Sequence, residues 1–161
     1  MEIISKIKRF FRKIWWSIFP SRSNSKKYRK QRRNPVPVNS INKTIIGMVN
    51  HERKKRGLPS VIFDPSLEYH AISWSKNMAH KRRLYHSGII LENCCMVSAN
   101  GSPNSIAKRA FYNWKGSAPH WTWMMHPKIE RVAFGYWING KYAYGAYAFN
   151  NPSLHFNSSP A

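Results

Sequence analysis

Acidic residues are scarce. Six Asp and Glu stand against 27 Lys and Arg, a formal charge of +21 over 161 residues. A balance this basic argues against cationic partners and favours anionic ones: lipid headgroups, nucleic acid or cell-wall polymers. Cysteine is nearly absent. Cys94 and Cys95 are the only two, and they are adjacent. A bond between neighbours is strained, so there is no disulfide framework and packing must hold the structure. No apolar run approaches the ~20 residues that span a bilayer, which excludes a transmembrane helix. Motifs of the RNP or OB type are also lacking, so nucleic-acid binding would rest on charge alone. Against these absences, hydrophobic residues are 42% and aromatics 14%. That composition excludes whole-chain disorder, and the length suits one domain with an appendage.

The appendage is the first 40 residues, which carry 12 cations and one acid, Glu2. In residues 2–19, EIISKIKRFFRKIWWSIF, apolar side chains fall at 3, 4, 7, 10, 11, 14, 15 and 18. This is the period of an amphipathic helix, and Pro20 ends it. A cleaved signal would need a longer apolar stretch and a small-residue cleavage site. A helix packed on its own core would not explain the density of Lys and Arg. The basic face and the tryptophans favour a helix in the plane of an anionic membrane, with Ile7, Lys8, Phe11, Arg12, Trp15 and Trp16 as contacts and a peripheral membrane location. Residues 21–40 read as a basic disordered linker. Its KKYRKQRR cluster suits anionic lipid, nucleic-acid phosphates, or a solvated tether without a partner.

From Ile41 the composition becomes that of a folded domain, with 15 cations and five acids to the end of the chain. A helix is expected over 41–57, capped by Ser40 or Asn42 and stopped at Gly57. An extended PSVIFD follows. Asp64-Pro65 then opens a second helix running to about Arg83, with Leu67, Ala71, Trp74 and Met78 on one face. LYHSG is a turn that presents His86. A third helix is expected over 104–114, and SAPHWTWMMHP is a short helical or looped element. RVAFGYWI and KYAYGAYAF alternate as strands around Asn139-Gly140, a hairpin with an I′-type turn. Residues 151–161 are a polar, flexible tail. His51, His70 and His80 read as surface residues of helices, and the two cysteines as small buried hydrophobes. Core and cross-strand packing accounts for most of the aromatic residues of the second half.

Several pieces resemble a known family when taken in order. Asn50, Arg53, Gly57, Leu58, Asp64, Leu67, Ala71, Ser75, Met78 and His86 follow the opening pattern of the CAP superfamily: cysteine-rich secretory proteins, antigen 5 and plant pathogenesis-related proteins. The short prokaryotic branch is the best fit. Leu91-Glu92-Asn93 resembles its Gly-Glu-Asn motif, Trp114 with Ser117-Ala118-Pro119-His120 its W-x-x-S-P-G-H motif, and the final hairpin its closing strands. The resemblance spans residues 41–150. It implies an α+β fold, an α-β-α sandwich around a small, mostly antiparallel sheet, preceded here by the amphipathic helical arm.

The resemblance also implies a cavity of two histidines and two acids that binds a divalent metal in some members. His86 and His120 match the histidines and Glu92 the first acid, with Asn93, Trp114 and Ser117 as supporting motif residues. Lys115 and Gly116 stand where the second acid would be. Two imidazoles and a carboxylate suit Zn²⁺ with a fourth position open to water. No H-E-x-x-H pair is present, and His86 with Glu92 also reads as a hydrogen-bonded pair bridging loop and sheet. A nucleophilic pair of His86 with Cys94 or Cys95 has no flanking protease signature. The expectation is a CAP-type binding module at an anionic membrane surface, with a peptide, lipid or glycan as ligand. The rivals are a metal-assisted hydrolase of peptide or cell-wall bonds and a protein that binds nucleic acid through residues 1–40.

Overall fold

The structure is a computed structural model that describes residues 38–150. The amphipathic arm, residues 21–37 of the linker and the tail from 151 lie outside the described residues. Four helices and four strands follow in the order α1 (Ser40–Lys54), β1 (Ile62–Phe63), α2 (Pro65–Lys81), β2 (Glu92–Ser98), α3 (Pro103–Lys115), α4 (Ala118–Met124), β3 (Arg131–Asn139) and β4 (Tyr142–Asn150).

The helix boundaries have local causes. The Asp64 side chain accepts the Ser66 N–H and Pro65 occupies the first turn, so α2 begins there as expected. It ends at Arg82, which takes the left-handed conformation with φ 50°. Ser102 caps α3 in the same way, ahead of Pro103. For α1 the cap differs from expectation: Asn39, not Ser40 or Asn42, accepts the Asn42 N–H at 2.9 Å. Asn42 is buried, and its side chain both accepts from the Phe134 N–H (2.7 Å) and donates to the Phe134 carbonyl (3.1 Å). It thus pairs with the edge of β3 where no strand does. The hairpin turn is also displaced by one residue. Asn139 pairs with Tyr142, leaving Gly140 and Lys141 as the loop. Only Gly140 has positive φ, 60°. That is the pattern of a II′ turn, which needs glycine first, rather than the I′ turn that would need positive φ at both positions.

The sheet order is β1-β3-β4-β2, with β1 parallel to β3 and the other two pairings antiparallel. α2 packs on one face, burying Leu67, Ala71 and Met78 against Ala133, Ala146 and Ala148. On the other face α1, α3 and α4 bury Val49, Phe111, Trp114 and Met124 against Phe134, Tyr147 and Phe149. This is the expected α-β-α sandwich. Each large side chain so buried contributes about 1.5–3 kcal/mol.

Residues of the opening motif are buried polar braces. Arg53 is fully buried. Its guanidinium donates to the carbonyls of Pro59, Met124, His126 and Ile129 at 2.7–3.1 Å. Asn50 pairs with both backbone groups of Val61, and Ser75 donates to the Gly135 carbonyl at 3.0 Å. Buried polar groups must be paired to be tolerated, and these three tie helices to the neighbouring loops and to β3.

Candidate metal centre

Alternation along β2 divides its side chains. Cys94 faces α2 and Cys95 faces the opposite core. Glu92 shares the α2 side, where His70 meets it: His70 Nε2 lies 3.1 Å from Glu92 Oε2. The segment 82–91 returns from α2 to β2. It is pinned by Trp74, whose Nε1–H donates to the Tyr85 carbonyl at 2.9 Å and whose ring meets Tyr85 edge-on at 4.7 Å. This places the next residue, His86, with Nδ1 3.8 Å from both Glu92 Oε1 and Cys94 Sγ. The Ser87 N–H donates to Glu92 Oε1 at 2.5 Å. Ligand atoms of His86, Glu92 and Cys94 all lie within 4.8 Å of one another. The Glu92 side chain is wholly buried while that of His86 is 64% exposed, so the cluster is closed on the protein side and open on one side to solvent.

Burial alone would raise the Glu92 pKa. The bonds from His70 and Ser87 outweigh it and hold the carboxyl below its ordinary value, hence ionised. Burial first, and the Glu92 charge second, push the Cys94 thiol up to about 12. The free thiol is therefore protonated at neutral pH and a poor nucleophile, which removes the physical basis for a Cys–His pair. Burial, then the charge of nearby His86, lower the His120 pKa, so that imidazole is neutral.

His120 stands beside this cluster, outside the group of three. Its Nδ1 is 2.7 Å from Ser117 Oγ, and its carbonyl accepts from the Asn93 side chain at 3.0 Å. Trp114 is fully buried and donates Nε1–H to the Cys94 carbonyl at 3.1 Å. β2 is the edge strand. Asn93, Trp114 and Ser117 therefore join α3 and α4 to the strand that carries Glu92. At the position of the missing acid, Lys115 turns to α1 and pairs with Glu52 at 3.0 Å. The membrane contacts expected at Ile7, Lys8, Phe11, Arg12, Trp15 and Trp16 lie outside the described residues. Among the described residues, no helix is long and apolar enough to cross a membrane.

His70 is the site residue that the sequence reading placed on the surface. A usable signal was present: Leu67, His70, Ala71 and Trp74 share one helical face by their spacing. The donor set suits zinc. Bond lengths of about 2.0–2.3 Å put tetrahedral ligand atoms roughly 3.3–3.7 Å apart. The 3.8 Å separations are close to this, and the exposed His86 ring is free to rotate inward. His70, 3.1 Å from Glu92 Oε2, would orient that carboxylate were it to hold a metal. Cys94 would join only by losing its proton to the metal.

The family model described as "CAP: Cysteine-rich secretory protein family" matches residues 46–151. No curated protein matches the chain significantly by sequence. Solved structures are similar in fold. NaASP2, in a structure with Zn²⁺, has a TM-score of 0.59 at 13% identity, covering 70% of this chain and 80% of that one. BmVAL-1 has a TM-score of 0.59 at 15% identity, with 73% and 80% covered. An outer surface protein of Borrelia burgdorferi has a TM-score of 0.52 at 13% identity, with 72% and 96% covered.

Proposed function

This chain belongs to the CAP family, and on that premise we propose that it is a binding module with a divalent-metal site at His86 and Glu92, held at an anionic membrane surface by residues 1–20. The observation that carries the metal reading is the convergence of His86, Glu92 and Cys94 ligand atoms within 4.8 Å around a buried, ionised carboxylate. Zinc is the first choice because imidazole, carboxylate and thiolate are all among its ligands. NaASP2, a neighbour in fold, was crystallised with that ion. When bound, the metal would supply a Lewis-acidic position facing solvent. The protein's own groups hold the carboxylate (His70, Ser87), orient the loop (Trp74, Tyr85) and brace the strand (Asn93, Trp114). With Lys115 paired to Glu52, no second carboxylate among the described residues joins the cluster. The membrane reading is supported by the helical period and basic face of residues 2–19.

Calorimetric titration of the full chain with Zn²⁺ tests the site. Binding at about micromolar Kd or tighter is expected, lost in His86→Ala and weakened in Cys94→Ser and His120→Ala. An absence of binding by a protein with the wild-type circular dichroism spectrum overturns the metal reading. Sedimentation with phosphatidylglycerol vesicles, compared with a Trp15→Glu/Trp16→Glu variant, tests the arm: equal partitioning of the two overturns its role.

A further inference from the structure

The end of the sandwich remote from the metal centre has a character of its own. α2 finishes there at Lys81, with Arg82 and Arg83 following, and the charged groups of Lys81 and Arg83 lie over the Tyr85 ring at 5.2 and 5.7 Å; the helix is fastened to the hairpin tip by the Asn139 side chain, which donates to the Ala79 carbonyl at 2.7 Å. Lys141 lies in the hairpin turn, and its carbonyl accepts the Ala99 N–H just beyond β2. Arg109 of α3 reaches the same corner, bonding the carbonyls of Ser98 and Asn100. Lys76 sits over the Trp137 ring, 4.9 Å from its centre. Of the five acids of the described residues, four lie elsewhere. Asp64, Glu92 and Glu130 stand at the ends of their elements far from the turn, and Glu52 is in the last turn of α1. Glu68, in the first turn of α2, is bound by Asn42 at the level of Phe134.

Among these cations the sheet leaves apolar side chains in the open. Trp137 is 39% exposed, Met96 41%, Ile138 47% and Tyr142 48%. Scattered exposed apolar residues are ordinary, but these are neighbours. Met96 and Trp137 both pair with Tyr144, while Tyr142 pairs with Asn139 and Ser98. Trp137, Met96 and Tyr142 project from the face that α2 covers, Trp137 beside Lys76 and Met96 across the buried Tyr144 from it, and Ile138 projects from the other face. Asn39 and Glu68, joined by a hydrogen bond, line a groove of about 470 Å³ together with Trp137 and Ile138.

We propose that this hairpin end is a second membrane-binding face, by which the domain itself lies against an anionic bilayer. The cations outnumber the one acid near this end, Glu68, and attract the anionic headgroups. Trp and Tyr suit the headgroup boundary, with an apolar ring and a polar tip. Ile138 and Met96 favour a bilayer over nucleic acid, because phosphates and base edges offer them nothing while the acyl boundary does. The face stands on its own residues, and it remains if the arm binds something else.

The test uses the full chain carrying an environment-sensitive fluorophore at Tyr142→Cys or, at the opposite end, at exposed Lys128→Cys. Cys94 and Cys95 are buried and stay unlabelled in the folded protein. With vesicles of phosphatidylglycerol and phosphatidylcholine, the label at 142 is expected to shift to the blue and to be quenched by brominated lipid. The label at 128 is expected to stay in water, and pure phosphatidylcholine is expected to change neither. A Lys81→Glu/Arg83→Glu/Lys141→Glu variant with an unchanged circular dichroism spectrum should lose roughly tenfold or more in vesicle affinity. A label at 142 that stays in water while the protein sediments with vesicles overturns the proposal, leaving the arm as the anchor. So does a triple variant that binds vesicles like wild type but has lost affinity for RNA, and so does a chain that ignores anionic vesicles altogether.

Discussion

Toward α2 the sheet presents Ala133, Gly135, Ala146 and Ala148; toward α1, α3 and α4 it presents Val132, Phe134, Tyr147 and Phe149. The same two strands, β3 and β4, thus offer small side chains on one face and large ones on the other. On the small-residue face the helix comes so close that a Cβ on Gly135 would stand 2.4 Å from the Ile72 nitrogen and 2.7 Å from the Ala71 carbonyl carbon. On the other face the helices stand off and aromatic rings fill the gap, Trp114 meeting Phe134 and Tyr147 at 5.9 and 5.7 Å. Close approach is what brings His70 of α2 within hydrogen-bonding distance of Glu92 on the strand. Bulk on the aromatic face serves a different end, since Trp114 both fills the core and braces β2 through the Cys94 carbonyl.

The contrast is open to direct attack. Removing the aromatic keystone has the largest expected effect. Trp114→Ala should cost about 3–5 kcal/mol of unfolding free energy, measured by urea denaturation, because it leaves a cavity and an unpaired Cys94 carbonyl. A loss below about 1 kcal/mol would mean that this core collapses to fill the space.

Next comes a matched pair of glycines. Gly135→Ala should cost about 3 kcal/mol, because the obstacle is helix backbone that cannot step aside. Gly145→Ala meets the Phe134 ring and the Cys95 sulfur, both side-chain atoms, and should cost about 1–2 kcal/mol. Equal costs would erase the distinction between the faces.

The smallest effect concerns charge at the rim of the aromatic face. Lys115, then Arg56, lower the Glu52 pKa from its ordinary 4.5 to about 2. A carboxyl depressed on folding adds stability above its unfolded pKa and loses it as pH falls through the folded one. The melting temperatures of wild type and Glu52→Gln should therefore differ by a constant amount above about pH 5 and converge toward pH 2. The gap should be small and should shrink with salt, because the cations are half exposed. A pH-independent gap would mean that the pairing contributes nothing.

Much of the fold was legible because its causes are local. Asp64-Pro65 announces a helix start by capping chemistry that needs no partner. The alternation of residues 131–138 and 141–149 announces two strands. The turn between them was misjudged by one residue, because Asn-Gly satisfies the I′ rule locally while the pairing of Asn139 with Tyr142 selects Gly140-Lys141. His70 was missed for a related reason. Its helical face is readable from Leu67, Ala71 and Trp74, but the acid it meets is 22 residues away on a strand whose inward side depends on packing. His86 and Glu92 were found through the family's motifs, and the thiol that joins them appears only when β2 is paired and loop 82–91 is in place.

The sequence by itself determined the three longer helices and the closing hairpin, the polar residues Asn50, Arg53 and Ser75 that mark the family, and the excess of positive charge, since these follow from residue type and spacing. Tertiary structure alone decided which face of β2 holds Glu92 and Cys94, that α2 lies close enough for His70 to orient the carboxylate, and that the cations gather around exposed rings at the hairpin end. A period of two says that neighbouring side chains part to opposite faces, but only the packing of helices against the sheet decides what waits on each side.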